Sequence, residues 1–342
     1  MRREYADAPA SPFAATVSGA VARHNQLGTE SPLMRVVVTG AAGFLGSHVC
    51  ERLAEHGHDV LGVDAYTDFY DRALKQRNAS WLSDELGIEV HERDVLDAGL
   101  CGEMRGASAV CHLAGLPGVR CREPERLEAG NVESTRQVMA AASAAGVQRV
   151  LLASSSSVYA PSGQPISEEA PLGPLSAYGH SKRTAEEVAA ELASHYGIEL
   201  VVLRYFTVYG PRQRPDMAFA RFLSALRRNE AMPLFGGGGQ RRDFTYAADA
   251  AEATALALES GRPGAAYNVS GGRSVQLVHA LSVLAYEAGS APPLDEEPAN
   301  PEEHETTEAD LTLARRELGY APRVSLEDGI ALQVAAGATV AA

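Results

Sequence analysis

Tyr178 and Lys182 stand four residues apart in "SAYGHSKRTAEE", a stretch that reads as a helix, so the phenol and the ammonium share one face. A phenol titrates near pKa 10 in water, and a nearby positive charge favours its ionised form. A tyrosine tuned this way is a general base that takes a proton from a sugar hydroxyl while hydride leaves the same carbon. Upstream, "LLASSSSVYA", residues 151–160, passes from apolar, strand-like residues into the run Ser154, Ser155, Ser156 and Ser157. Such a run is either a polar strand end entering a surface loop or the floor of a site. The elements around it must decide.

The strongest architectural signal is "RVVVTGAAGFLGSHVCERLAEHGHDVLGVD", residues 35–64. A β-branched run is followed by Gly40, Gly43 and Gly46, and then Phe44, Val49 and Leu53 recur at helical intervals. Glycines in a strand-to-helix turn let the backbone approach a pyrophosphate, whose charge is favoured at a helix N-terminus. Phe44 and Leu45 open that helix and are assigned to the same cofactor site. A second strand over 60–63 ends in Asp64, about 20 positions beyond the glycines, where an acid hydrogen-bonds a ribose 2′-hydroxyl. That carboxylate repels a 2′-phosphate, which points to NAD rather than NADP.

The alternation continues. A third strand, "IEVHERDV", is expected to end at Asp94 and Val95, and a fourth, "ASAVCHLAG", leaves Leu113, Ala114 and Gly115 at its carboxyl end. Strands follow at 149–154 and 199–204, with helices between them at 126–145 and 176–196. This predicts an α/β fold, a Rossmann-like doubly wound parallel sheet with a smaller C-terminal substrate-binding lobe. Ligands of such sheets bind at the carboxyl ends of strands near the switch point, and the serine run begins at such an end.

Composition sets the limits. The chain has 342 residues and a formal net charge of −14, which argues against nucleic acid or an anionic membrane as partner. No apolar run approaches the ~18 residues that cross a bilayer. Residues 1–33 open with two arginines but lack a continuous apolar core, so no signal peptide is expected there, only a poorly ordered extension, with Met34 as an alternative start. Cys50, Cys101, Cys111 and Cys121 form no CxxC pair and no Cys/His cluster, so reduced thiols in a cytoplasmic protein and no bound metal are expected. Residues 34–206 are read as the dinucleotide domain, and 207–342 mostly as the substrate lobe, with some segments returning to the first domain. Residues 217–229, 264–270 and 311–334 are assigned to the lobe. "DEEPANPEEHE", residues 295–305, reads as an exposed acidic loop.

From about residue 35 to the C-terminal region the chain resembles the extended short-chain dehydrogenase/reductases, the NAD-dependent epimerase/dehydratase family. The resemblance is carried by "TGAAGFLGSH", the Asp64 strand, "HLAG", the serine strand, "YGHSK" and "RDFTY". It implies that Tyr178 is the base, that Lys182 holds the nicotinamide ribose, and that Ser155 hydrogen-bonds the reacting hydroxyl. It places Asn131 and Tyr205 against NAD, Lys75 at the adenosine ribose, and Asp94 and Val95 at the adenine.

Dehydratases of the family carry Asp-Glu after the serine or threonine, and decarboxylases carry a Glu in the same turn. Here those places are Ser156 and Ser157, which favours a reaction that only moves hydride out and back. "FTVYGP" followed by "RPDMA" and "PGVR" resemble UDP-glucuronate 4-epimerases, and imply that Arg120, Ser155, Ser156, Ser157, Thr207 and Arg214 meet the substrate, with Arg242 at its diphosphate. An arginine fork suits phosphate because its donors lie in one plane.

Departures are Ala160 for a usual glycine, Gly179-His180-Ser181 in the helix, and Asn300 where many relatives have arginine. The resemblance also implies a homodimer through the helices at 126–145 and 177–196. A UDP-glucose/UDP-galactose 4-epimerase, and after it a decarboxylase or dehydratase, are the alternatives among enzymes. A non-catalytic NAD sensor is disfavoured by the joint presence of Ser155, Tyr178 and Lys182.

Overall fold

The computed structural model of the chain describes residues 33–118, 123–163 and 165–339. Strands and helices alternate first as β1 (Arg35–Thr39), α1 (Phe44–Glu55), β2 (Asp59–Asp64), α2 (Arg72–Leu86), β3 (Val90–Glu92), α3 (Leu100–Glu103) and β4 (Ala109–His112). Then come α4 (Pro124–Leu127), α5 (Ser134–Ala145), β5 (Arg149–Ser155), α6 (Ala177–Tyr196) and β6 (Glu199–Tyr205). The remainder is β7 (Val208–Tyr209), α7 (Ala218–Arg228), β8 (Met232–Phe235), β9 (Arg241–Asp243), β10 (Thr245–Tyr246) and α8 (Ala247–Ser260). It ends with β11 (Ala266–Val269), β12 (Ser274–Gln276), α9 (Leu277–Ala288), β13 (Leu294–Glu297), α10 (Thr312–Leu318) and α11 (Leu326–Thr339).

The large sheet has the order β11-β6-β5-β4-β1-β2-β3, and every neighbouring pair is parallel. Its central strands are apolar on both faces, as a sheet covered on both sides requires. Along β1, Val36 and Val38 face one core and Val37 the other. The first core is closed by α1 and α8 through residues such as Val49, Leu53 and Leu258, the second by α5 and α6 through Val138, Met139 and Ala189. Strand order reverses between β1 and β4, so the loops after β1, β4 and β5 open side by side.

The smaller lobe has its own core around Tyr209, Phe219, Phe222, Phe244 and Leu284, with the rings of Phe219 and Phe244 stacked at 5.1 Å. Its strands form short pairs: β7 with β10, β8 with β13, and β9 with β12.

Four expectations are corrected. The third strand stops at Glu92, because Asp94 turns the chain by accepting a hydrogen bond from Leu96 N at 2.9 Å. The helix expected over 126–145 is interrupted by a π-helical turn, Glu128–Glu133, between α4 and α5. Residues 264–270 carry β11, an edge strand of the large sheet, and α10 packs on β11 and α8, so both belong to the large core rather than the lobe. The apolar side chains of Tyr267, Val269, Ala314 and Leu318 require that burial. The acidic segment 295–305 is not wholly exposed either: its first residues pair with β8, and His304 is buried. The N-terminal extension of residues 1–32 lies outside the described residues. Among those described, no helix is long and apolar enough to cross a membrane.

Candidate active site

The loop after β1 is held against β2. Gly40 N donates to Val63 O at 2.8 Å, and Ala42 N donates to the Asp64 carboxylate at 3.1 Å. The other Asp64 oxygen accepts from Tyr66 N at 2.8 Å. Asp64 therefore braces the glycine turn as well as ending β2. A Cβ on Gly46 would lie 2.0 Å from the carbonyl oxygen of Gly40, so no side chain fits at that contact. The following helix, α1, begins at Gly43 with no side chain capping it, which leaves its first amide donors available to an anion at the loop. These are the features a dinucleotide pyrophosphate requires, and Asp64 at the end of β2 suits a ribose without a 2′-phosphate. The residues present fit NAD.

On the other side of the switch point, β5 delivers Ser155 and α6 delivers Tyr178 and Lys182. Ser176 caps α6 by accepting from Gly179 N at 3.1 Å, which fixes where the helix starts. A Cβ on Gly179 would sit 2.3 Å from Ser157 O, so the first turn of α6 lies directly on the serine turn. That close approach brings the Tyr178 hydroxyl into a hydrogen bond with Ser155. Burial pushes the phenol above its ordinary pKa, while the Ser155 hydrogen bond and the Arg214 guanidinium act in the opposite direction. Lys182 donates to Ala153 O at 2.9 Å, and burial draws its ammonium down to about 8 against the opposing field of Glu186. The cation whose field lowers the phenol's pKa is thus Arg214, where the spacing of Tyr178 and Lys182 had suggested the lysine.

The serine run divides by role. Ser154 donates to the buried Glu186 carboxylate, whereas Ser155 accepts from Ser157 N at 3.1 Å and opens a 3₁₀ turn, Ser156–Val158. All four serines line a cleft of about 740 Å³, with the Ser154 hydroxyl already given to Glu186. All the site residues expected from sequence line this one cleft, apart from Asn131 and Arg120. Arg120 lies outside the described residues.

Asn131 stands behind the cleft wall. Its amide donates to Leu116 O at 3.0 Å and to Ser181 Oγ at 2.8 Å and accepts from Leu116 N at 2.9 Å, so both its N–H donors are spent tying the loop after β4 to α6. Its side chain thus positions the wall, and Asn131 does not itself line the cleft. Tyr205 does line the cleft, with its hydroxyl paired to Thr254 at 2.7 Å. Lys75 donates to Thr67 O and Oγ1 at 3.0 and 2.9 Å.

Two of the three arginines expected at the substrate, Arg214 and Arg242, are held by acids. Arg214 forms a two-pronged pair with Asp216, at 3.0 Å for each hydrogen bond. Arg242 donates to Glu303 at 3.1 Å and to His304 O at 2.8 Å. Sequence reasoning missed Phe69, Glu303, His304 and Thr307 in the cleft wall. Phe69 sits in the aromatic stretch "YTDFY" just before Lys75, a signal that was available. Glu303 and His304 are 61 and 62 residues from Arg242, and no local pattern links them.

A family model described as the NAD dependent epimerase/dehydratase family matches residues 36–270. The chain belongs to this family. It is 35% identical over 309 residues to an uncharacterized UDP-glucose epimerase, YtcB, of Bacillus subtilis, covering 88% of this chain and 97% of that protein. A UDP-glucuronate 4-epimerase of Thermodesulfobacterium geofontis is 33% identical over 301 residues, covering 86% and 93%. The crystal structure of the UDP-glucuronic acid 4-epimerase from Bacillus cereus, in complex with UDP-glucuronic acid and NAD, is similar with a TM-score of 0.85 at 33% identity, covering 90% of this chain and 100% of that one.

Proposed function

We propose that this epimerase-family member is a UDP-glucuronate 4-epimerase, converting UDP-glucuronate to UDP-galacturonate through a 4-keto intermediate. The observation that carries the reading is the make-up of the cleft around Tyr178: Ser155, Ser156, Ser157 and Thr207 offer hydroxyls, and the carboxylates lining the cleft among the described residues are Asp64, Asp94, Glu302 and Glu303. Asp64 braces the glycine loop and Glu303 holds Arg242, so neither is placed as an acid/base partner of Tyr178. Elimination of water calls for such a partner, and epimerisation does not.

NAD, when bound, supplies the hydride acceptor and donor for C4 of the sugar. The glycine loop and the α1 N-terminus would hold its pyrophosphate, Asp64 a ribose, and Lys182 the nicotinamide ribose. Ser155 orients the C4 hydroxyl, and Tyr178 takes its proton and later returns it to the C4 oxygen. Thr207 and Arg214 meet the sugar and nucleotide, and Arg242 the diphosphate. The reading includes a cytoplasmic homodimer formed through α5 and α6, whose exposed faces carry Arg136 and Ala144, and His180, Thr184 and Glu187. Sedimentation of the full chain checks the dimer.

The Bacillus subtilis relative favours a second reading, a UDP-glucose 4-epimerase. Purified protein incubated with UDP-glucuronate and, separately, with UDP-glucose separates the two by proton NMR of the products. UDP-galacturonate is the expected product. Turnover of UDP-glucose with none of UDP-glucuronate overturns the assignment.

A further inference from the structure

His304 lies in the segment whose composition reads as an exposed acidic loop, yet the residue is only 8% exposed. It lines the cleft beside Arg242, Glu303 and Thr307. Both of its ring nitrogens are buried with no hydrogen-bond partner, and so is the Thr307 hydroxyl oxygen. The other buried polar atoms in that condition among the described residues, on Asp243, Ser274 and Gln333, belong to residues that do not line the cleft.

A buried polar group left without a partner costs about 1–3 kcal/mol, and folded proteins satisfy most such groups. Unpaired groups in a ligand cleft are explained when the ligand supplies the partner. Burial, and then the Arg242 guanidinium, hold the His304 imidazole below its ordinary pKa, so at neutral pH the ring is uncharged with one N–H to donate. Its backbone carbonyl accepts from Arg242 Nη1 at 2.8 Å, which joins the imidazole and the guanidinium in one wall. The guanidinium is already engaged by the neighbouring Glu303. A sugar hydroxyl is a weak competitor for that carboxylate, whereas a diphosphate is an anion rich in acceptors that can draw Arg242 to itself and satisfy the imidazole N–H together.

Building on the nucleotide-sugar reading above, we propose that His304 is a substrate-binding residue that donates a hydrogen bond to the diphosphate of the nucleotide beside Arg242. The full-length, NAD-loaded protein is titrated with UDP by calorimetry as wild type, His304→Leu and His304→Gln, and the thermal midpoint of each is measured. His304→Leu is expected to weaken UDP about tenfold, to raise KM for the sugar nucleotide with little change in kcat, and not to lower the thermal midpoint. His304→Gln retains an N–H donor and is expected to recover most of the affinity. UDP binding by His304→Leu at wild-type strength overturns the proposal. So does a loss of affinity that tracks a fall in thermal midpoint and that glutamine does not rescue. A wild-type protein that does not bind UDP overturns instead the nucleotide-sugar reading beneath it.

Discussion

Glu186 grips Arg204 with both carboxylate oxygens, at 3.1 Å to Nε and 2.7 Å to Nη2, in a pocket where the two side chains are only 10% and 7% exposed. The same carboxylate accepts from Ser154, and Arg204 continues to the Tyr159 hydroxyl at 3.0 Å. Glu186 is one helical turn beyond Lys182, so this buried pair ties the end of β5 to the helix that carries Tyr178. Removing one member of such a pair strands a charge in the interior. Glu186→Gln is expected to lower unfolding free energy by about 3 kcal/mol, read by urea denaturation, with a further fall in the Lys182 pKa because the opposing field is gone.

Tyr178→Phe keeps the ring and removes the hydroxyl proposed as the proton acceptor. Turnover is expected to fall at least about a hundredfold, the scale of losing a positioned general base, while NAD stays bound, as read by absorbance of the purified protein. Near-normal epimerisation by this variant would show that the base lies elsewhere.

Asp64 makes cofactor choice testable. Its carboxylate is fixed by Ala42 N and Tyr66 N, so it cannot turn aside to admit a 2′-phosphate. NAD is expected to bind at least about tenfold tighter than NADP, a difference of about 1.4 kcal/mol. Equal affinities in a calorimetric titration exclude this role for Asp64.

Away from the cleft, His56 bridges α1 to α8 through Glu259 at 2.9 Å and Glu252 at 3.1 Å. Burial works against the charged ring, but hydrogen bonds to the two carboxylates outweigh it and hold the pKa at about 9. The folded value lies above the ordinary 6.5, so the stabilisation is complete below about pH 6.5 and is lost as pH rises through 9. His56→Gln is expected to destabilise the protein by on the order of 2 kcal/mol at pH 6, with the deficit shrinking by pH 10 in parallel denaturation curves. A deficit independent of pH would mean that packing rather than charge is involved.

The sheet was legible because its determinants are local. The glycine spacing, the acid at the end of β2 and the four-residue step from Tyr178 to Lys182 each lie within one element or one turn. What was not legible depends on contacts between distant segments. Nothing local to Asn131 says that a π-helical turn aims its amide at Leu116 and Ser181 instead of the cleft. Nothing in an acidic, proline-containing stretch says that His304 is buried against Arg242. β11 was misplaced for a related reason: four residues of edge strand carry too little periodicity to show which sheet they join.

The last prediction follows from the chemistry of the keto sugar. Oxidation at C4 of UDP-glucuronate leaves the C6 carboxylate β to a ketone, from which carbon dioxide departs when the breaking bond aligns with the carbonyl π system. An epimerase must hold the carboxylate out of that alignment without offering an acid that promotes the loss. Ser156, Ser157 and Thr207 line the cleft that holds Tyr178 and are the neutral donors proposed for this task. A hydrogen bond from a hydroxyl to a charged group contributes about 1.5–3 kcal/mol, so losing one shifts the partition between epimer and decarboxylated product by roughly tenfold or more. Wild type is expected to yield UDP-galacturonate with little pentose, while Thr207→Ala and Ser157→Ala release more UDP-4-keto-pentose, counted by NMR. If neither variant changes the partition, these hydroxyls do not restrain the carboxylate, and the restraint lies in another part of the cleft.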